Sequence, residues 1–135
     1  MTYGLLDEAS DTTFKLDILR NLGLNGPEIK LSLFTMLGRE EISVEKMSGL
    51  VVQQMDKRVE IELPKTYSRS KIPSGRDQIP TAEVANKWPY LKKIADKLFP
   101  YQSNMEVGLL LGCNCPRAIK PKEVILGKGD DPYAV

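Results

Sequence analysis

The chain contains no histidine in its 135 residues. Histidine is the usual general base near neutral pH and the commonest metal ligand in proteins. Its absence therefore excludes Ser-His and Cys-His nucleophile pairs and most zinc sites. Any chemistry of this chain must use carboxylates, lysines, tyrosines or hydroxyls, or the chain has no chemistry at all.

Cysteine is scarce, and long apolar runs are missing. The two cysteines, Cys113 and Cys115, lie in the stretch CNC, which is too tight for an ordinary disulfide and has too few ligands for a metal. We expect free thiols in a reducing compartment. No run approaches the roughly 20 apolar residues that cross a bilayer, and no signal peptide opens the chain. The sequence thus predicts a cytoplasmic protein with no membrane partner.

An excess of charge of one sign is also missing. Lys plus Arg is 19 and Asp plus Glu is 18, so the net charge of +1 gives no electrostatic reason to expect nucleic acid as a partner. Basic residues are scattered through turns and connections without interleaved aromatics, as is typical of a solvated surface. The length and the 41% hydrophobic content fit one globular domain, residues 1–135.

The hydrophobic pattern predicts a mainly β fold. A short apolar strand in TYGLLD is followed by an amphipathic helix with Phe14, Ile18, Leu19 and Leu22 on one face, for which Ser10 or Asp11 provides the cap. From Glu28 to about Leu63 the apolar residues alternate with polar ones, which predicts antiparallel strands with turns at LGRE and QQMD.

The second half of the chain has a different pattern. Residues 64–80 contain three prolines and a glycine, which predicts an irregular linker. Residues 81–99 have an apolar face that includes Trp88 and Leu91, which predicts a helical segment with a bend at Pro89. NMEVGLLLGCN predicts a buried strand that ends in a glycine turn, and PRAIKPKEVILGKGDDPYAV predicts one or two more short strands.

Asp7 is the residue with most chemical interest. It follows an apolar strand and precedes small residues, which brings backbone N–H groups near its carboxylate and can hold a carboxyl group in a dry site. The hydroxyls of Ser10, Thr12 and Thr13 are available to bind that carboxylate or to brace the loop. From the residues alone, an ordinary Asx turn is the favoured interpretation of Asp7, because such turns are common.

Two separated stretches carry a family resemblance. LLDEAS resembles the strand-Asp-Ser/Thr-Gly-Ala/Ser signature of retroviral-type aspartic proteases, and LLLGCN resembles their second signature, an apolar triplet that closes on Gly and is followed by a polar pair. The tryptophan-containing insertion and the ending CNCPRAIKPKEVILGKGDDPYAV look like the protease region of Pao/BEL-type retrotransposon polyproteins. The resemblance covers nearly the whole chain.

The resemblance implies a closed, retropepsin-like β barrel with a short helix after the active-site loop and an inserted helical segment. It implies a homodimer in which each subunit contributes one catalytic aspartate, Asp7. The active-site loop would be Glu8, Ala9 and Ser10. The second signature would be Leu110, Leu111, Gly112 and Asn114. The flap would be Thr35, Met36, Leu37 and Gly38, although from the residues alone this segment equally fits an ordinary hairpin turn.

The implied function is an aspartic endopeptidase domain of a retroelement polyprotein that acts on polypeptide. Two carboxyl groups near a two-fold axis cannot both ionise cheaply, so they share one proton. One then acts as base on a water and the other as acid toward the scissile carbonyl. This mechanism requires no metal and no cofactor.

The chain departs from the family pattern in two ways. Glu8 and Ala9 replace the usual Thr or Ser and Gly, and an inward-pointing Glu8 would place up to four acids near one axis. Against the family pattern, the domain is also expected to be truncated at both ends. The N-terminal strand that pairs at the base of the family's dimer is largely missing, and the further strand that the family usually has after DDPYAV is absent. A catalytically inactive remnant that serves as a binding or interaction module is therefore the alternative hypothesis.

Overall fold

The computed structural model describes residues 1–72 and 75–135, and the described chain is mainly β. The strands are β1 Tyr3–Leu6, β2 Thr13–Lys15, β3 Glu28–Thr35, β4 Gly38–Met47, β5 Val51–Gln53, β6 Glu60–Glu62, β7 Thr66–Arg69 and β8 Val107–Leu111. The α-helices are α1 Leu16–Asn21, α2 Ala82–Asn86, α3 Lys92–Ala95 and α4 Pro116–Ile119. Residues 1–72 with Val107–Ile119 form one compact unit, and residues 75–106 with Lys120–Val135 form a second.

Six strands of the first unit form one sheet in the order β1-β8-β2-β7-β4-β3. Strand β8 lies between β1 and β2, parallel to the first and antiparallel to the second. Because β1 and β8 are parallel, their carboxyl ends meet at the same end of the sheet, and β2 begins there. The loop of residues 7–12 that joins β1 to β2 therefore passes the carboxyl end of β8. Among the described residues no pairing of β1 with β3 closes this sheet into a barrel.

The first helix begins later than the sequence predicts. Phe14 belongs to β2, and α1 begins at Leu16, with Lys15 rather than Ser10 or Asp11 at its cap position. Residues 13–15 pair with β7, and Thr13 and Phe14 also pair with β8 on the other side. The sheet therefore satisfies backbone groups that a helix would otherwise have to satisfy. Of the predicted apolar face, Ile18 and Leu19 lie in α1 and Leu19 is completely buried, but the prediction is wrong for Leu22, which follows the helix and is exposed.

The predicted alternating strands are confirmed. Thr35 pairs with Gly38 across a two-residue turn in the β3–β4 hairpin, and Gly38 has a φ of 130°, which favours glycine. The separate two-stranded sheet of β5 and β6 has its turn in the predicted QQMD region. Pairs Lys46–Tyr67 and Met47–Thr66 join the base of the hairpin to β7.

The prediction of an irregular linker over 64–80 is wrong in part. Residues 66–69 of this segment form β7, which lies between β2 and β4 in the sheet. Its inward residues Thr66 and Ser68 are buried but polar, so the segment shows no apolar alternation in the sequence. Two residues of the predicted linker, Pro73 and Ser74, lie outside the described part of the chain.

The second unit contains the predicted helical segment. Thr81 caps α2 by accepting a hydrogen bond from Val84 N at 3.3 Å. A break at Trp88 separates α2 from a 3₁₀ turn, Pro89–Leu91, that leads into α3, which confirms the bend. The buried residues of this unit are Ala85, Leu91 and Ala95, with Ile125 and Ala134 packed against them.

The strands predicted after residue 115 are largely wrong. PRAI forms the helical turn α4, with Pro116 at the first position where its missing N–H is harmless. Beyond it, strand-like pairing among the described residues is confined to a single bridge between Ile125 and Ala134. No helix in the described ranges has both the length and the apolar character needed to span a membrane.

Candidate active site

Asp7 lies directly after β1, half-buried, with both carboxylate oxygens engaged. Its backbone N–H donates to Leu111 O at 3.0 Å, which continues the β1–β8 pairing. Ala9 N donates to Asp7 Oδ1 at 2.9 Å, and Ser10 Oγ donates to Asp7 Oδ2 at 2.7 Å. A hydrogen bond on each oxygen fixes the rotation of the carboxylate.

Glu8 and Ala9, the two departures from the family pattern, are exposed in the chain. Lys57 is the one non-glycine residue with positive φ in the described ranges, so Ala9 does not have the left-handed backbone that would favour glycine. The Ala9 methyl therefore causes no backbone strain. The exposed Glu8 carboxylate does not share the enclosed position of Asp7.

The far end of loop 7–12 contacts the turn that follows β8. Cys113 N donates to Ser10 O at 2.7 Å. Thr12, which has no exposed surface, donates to Asn114 Oδ1 through its backbone N at 2.8 Å and through its hydroxyl at 2.7 Å. The two stretches that carry the family resemblance thus meet in space, although Thr12 and Asn114 are 102 residues apart in the chain.

Gly112 allows this close approach. A Cβ atom at this position would overlap Ser10 O, the Asp11 carbonyl carbon and Thr12 N, all of which are backbone atoms of the loop. The Gly112 N–H also donates to Thr12 Oγ1 at 3.1 Å. A side chain at residue 112 would therefore push the loop that carries Asp7 away from β8.

One contact of this site has no signal in the sequence. Asn114 Nδ2 donates to the backbone carbonyl of Lys65 at 3.0 Å, just before β7. Sequence analysis finds Asp7, Ser10, Gly112 and Asn114, and the structure brings them together. Sequence analysis cannot identify the Lys65 carbonyl as part of the site, because every residue has a carbonyl group and only the folded structure shows which one binds Asn114.

Leu110 and Leu111, the remaining residues of the second signature, lie in β8 and pair with Leu5 and Leu6 of β1. Leu110 is buried, so it also contributes to the core. The apolar triplet thus supplies the strand beside which the Asp7 strand lies.

The segment assigned to the flap forms the turn of the β3–β4 hairpin. Met36 and Leu37 are almost fully exposed there, with 103% and 99% of their reference surface. Thr35 Oγ1 accepts a hydrogen bond from Leu37 N at 3.2 Å and stabilises the turn. Four strands separate β3 from β1 in the sheet order, so strand pairing does not place this turn beside Asp7.

The two cysteines are free thiols, Cys113 exposed and Cys115 buried in the core. Cys113 Sγ lies 3.7 Å from Asp11 Oδ1, a weak contact at the edge of the loop. Within residues 1–72 and 75–135 there is no group of three or more Cys, Asp or Glu side chains that could hold a metal ion.

Comparison with family models, with curated proteins and with solved structures finds no match for the chain.

Proposed function

We propose that the chain is a retropepsin-like aspartic endopeptidase domain of the Pao/BEL retroelement type, with Asp7 as its catalytic residue. The observation that carries this proposal is the hydrogen bonding of both Asp7 carboxylate oxygens, by Ala9 N and Ser10 Oγ, at the end of an apolar strand. An oriented carboxylate of this kind can act as a base or, when protonated, as an acid.

The contact between the two resembling stretches supports the proposal independently. An ordinary Asx turn needs hydrogen bonds only within its own few residues. Here the loop after Asp7 also binds the turn after β8 through Ser10, Thr12 and Asn114. A second stretch that braces the first is what a positioned catalytic carboxylate needs.

The proposed reaction is peptide hydrolysis by two Asp7 carboxyl groups, one from each subunit of a homodimer. The pair holds one proton between them. The ionised carboxylate removes a proton from water, the water oxygen attacks the scissile carbonyl carbon, and the protonated carboxyl donates its proton to the carbonyl oxygen. The tetrahedral intermediate then collapses, the C–N bond breaks, and the amine leaves with a proton from the dyad.

The proposed homodimer also gives roles to the Met36–Leu37 turn and to β1. The Met36–Leu37 turn, whose apolar side chains are exposed in the single chain, would serve as the flap over the polypeptide. Strand β1, the first in the sheet order, would lie near the two-fold axis, since Asp7 follows that strand directly.

The alternative is a catalytically silent interaction module with the same fold. The observation that favours it is the pair Glu8-Ala9 at the positions where the family has Thr or Ser and Gly. A silent module would dimerise or bind a partner without cleavage. It would also be indifferent to the loss of the Asp7 charge.

A cleavage assay distinguishes the peptidase from the silent interaction module. A mixed peptide library is incubated with the chain between about pH 4 and pH 7, where carboxyl dyads are active, and the products are resolved by mass. Asp7→Asn is the test variant, and Asp17→Asn makes the same change at an exposed aspartate of α1. Cleavage by the parent chain and by Asp17→Asn, but not by Asp7→Asn, supports the peptidase. Absence of cleavage by a folded dimer of the parent chain contradicts it.

A further inference from the structure

The last residue of β8 and the turn after it contact the Asp7 loop at four consecutive residues, 111–114. Leu111 O accepts from Asp7 N at 3.0 Å, and Cys113 N donates to Ser10 O at 2.7 Å. Gly112 N and Asn114 Oδ1 both bind Thr12. Residues 111–114 thus hold the loop at its beginning, in its middle and at its end.

Thr12 is where these contacts concentrate. Its hydroxyl donates to Asn114 Oδ1 at 2.7 Å and accepts from Gly112 N at 3.1 Å. Its backbone N–H donates to the same Asn114 oxygen, and its carbonyl accepts from Tyr67 N at 3.1 Å. Every polar group of this fully buried residue is therefore bonded to a segment outside the loop.

Asn114 connects this arrangement to a third segment. Its side-chain oxygen accepts both Thr12 donors, while its Nδ2 donates to Lys65 O at 3.0 Å. The amide group therefore joins the end of the Asp7 loop to the backbone that leads into β7. A planar amide with one acceptor and one donor end suits this role, and a shorter or purely acceptor side chain does not.

We infer that Thr12 and Asn114 are positioning residues for the Asp7 carboxylate, an inference that rests on the proposed function. Neither touches Asp7. They fix the end of the loop, and the Cys113–Ser10 bond fixes its middle. Ser10 then donates to Asp7 Oδ2 from a defined place. If the Thr12 hydroxyl is removed, Gly112 N loses its acceptor and Asn114 loses one of its two donors, so the loop that carries Ser10 and Ala9 shifts.

The experiment uses substitutions that change the hydroxyl and little else. Thr12→Val removes it with almost the same shape, and Thr12→Ser restores it. Thr81→Val is the control, because the Thr81 hydroxyl accepts from Val84 N at the start of α2 and belongs neither to the Asp7 loop nor to the turn after β8. Asn114→Asp is the second test, since it keeps an oxygen for Thr12 and loses the donor to Lys65.

Two readouts are measured on folded samples. The first is kcat and KM on a peptide that the parent chain cleaves. The second is the hydrogen-exchange rate of the Ala9 amide by NMR, which reports the Ala9–Asp7 hydrogen bond without any need for cleavage. A purely structural role for Thr12 would lower the unfolding temperature and leave both readouts unchanged in the folded protein.

We expect Thr12→Val to lower kcat on the order of 100-fold, as displacements near 1 Å do, while KM changes less than about threefold. Exchange at Ala9 should be at least about tenfold faster. Thr12→Ser and Thr81→Val should resemble the parent chain in kcat and in Ala9 exchange. Asn114→Asp should show the same losses as Thr12→Val. If Thr12→Val does not fold, Asn114→Asp alone tests whether these contacts position the Asp7 carboxylate.

Parent values of kcat and of Ala9 exchange in folded Thr12→Val would overturn the inference and leave the peptidase proposal intact. Equal losses in Thr81→Val and Thr12→Val would also overturn it, because the effect would then not depend on the contacts between Thr12 and Asn114. If the parent chain cleaves nothing, the proposed function fails. The Ala9 exchange rates then still decide whether Thr12 positions the carboxylate.

Discussion

The Ser10 hydroxyl donates a hydrogen bond of 2.7 Å to the Asp7 carboxylate three residues before it. The Ala9 N–H holds the other carboxylate oxygen at 2.9 Å, so the carboxylate is oriented by its own loop. That loop is in turn held by the turn after β8. The geometry of the proposed catalytic carboxylate therefore depends on contacts with residues that are far away in the sequence.

Substitution of Ser10 by Ala should slow cleavage and leave the fold intact. The carboxylate keeps the Ala9 bond and loses the Ser10 bond, so it can rotate out of the reactive orientation. We expect kcat to fall about tenfold, which corresponds to about 1.4 kcal/mol in the barrier. Steady-state kinetics of Ser10→Ala beside Ser48→Ala, an exposed serine outside the loop, tests this. An unchanged kcat in Ser10→Ala would show that the Ser10 hydroxyl does not hold the Asp7 carboxylate in a reactive orientation.

Substitution of Gly112 by Ala should lower the unfolding free energy and abolish cleavage. The added methyl overlaps backbone atoms of Ser10, Asp11 and Thr12, which cannot move without displacing the loop. We expect a loss of about 1–3 kcal/mol in unfolding free energy and loss of cleavage. Urea denaturation measures the first. Gly4→Ala is the matched control, because its methyl would meet Leu109 and Leu111 side chains at ordinary distances of 3.8 and 3.9 Å. Equal stability of the two variants would contradict the close approach at Gly112.

The hairpin turn offers a test of the flap role. The double variant Met36→Ser, Leu37→Ser changes two side chains that are almost fully exposed, so the unfolding free energy should stay within about 0.5 kcal/mol. If the turn covers bound polypeptide, the lost apolar contact should raise KM about tenfold, equivalent to about 1.4 kcal/mol of binding. Met55→Ser in the β5–β6 turn is the control. An unchanged KM would mean that the segment is an ordinary hairpin turn.

The Arg20–Glu45 pair should make stability depend on pH. Hydrogen bonds from the Arg20 guanidinium and then from Gly26 N lower the pKa of Glu45 below its usual range. A folded-state pKa below the unfolded one contributes stability that is full above about pH 4.3 and is lost as the pH falls through the folded-state value. The pair links α1 to β4 at the base of the hairpin.

The measurement is the thermal midpoint of the parent chain and of Glu45→Gln at neutral and at acidic pH. The parent chain should be more stable at pH 7, and the difference should shrink as the pH falls through the lowered folded-state pKa of Glu45. Glu41→Gln is the control. Lys30 Nζ lies 3.8 Å from Glu41 Oε1 and both side chains are exposed, and exposed ion pairs contribute little to stability. A difference that stays constant with pH would contradict the role of the Glu45 charge.

Local patterns were enough to predict much of the fold. The alternation from Glu28 to Leu63 predicts β3, β4 and the β5–β6 pair. The break in this alternation at LGRE predicts the turn next to Gly38. The apolar run before Gly112 predicts β8. Proline at residue 89 predicts the break in the helical segment, because it cannot continue a helix from the preceding residues.

Pairing between distant segments could not be predicted in this way. Phe14 fits a helical spacing, but residues 13–15 form a strand because β7 and β8 lie on both sides of them. Thr66 and Ser68 are buried polar residues, so β7 has no apolar signal. For the same reason the sequence identifies Asp7 and Asn114 separately, whereas their connection through Thr12 and the Lys65 carbonyl needs the structure.

The most direct test of the central claim mixes parent chains with Asp7→Asn chains and measures cleavage after the subunits have exchanged. If each subunit contributes one Asp7 to a shared dyad, an equal mixture at constant total concentration should retain about one quarter of the parent activity, because only dimers of two parent chains have both carboxyls. Retention of about one half would mean that each site is complete within one chain. That result, or the absence of cleavage by the parent chain itself, would contradict the account.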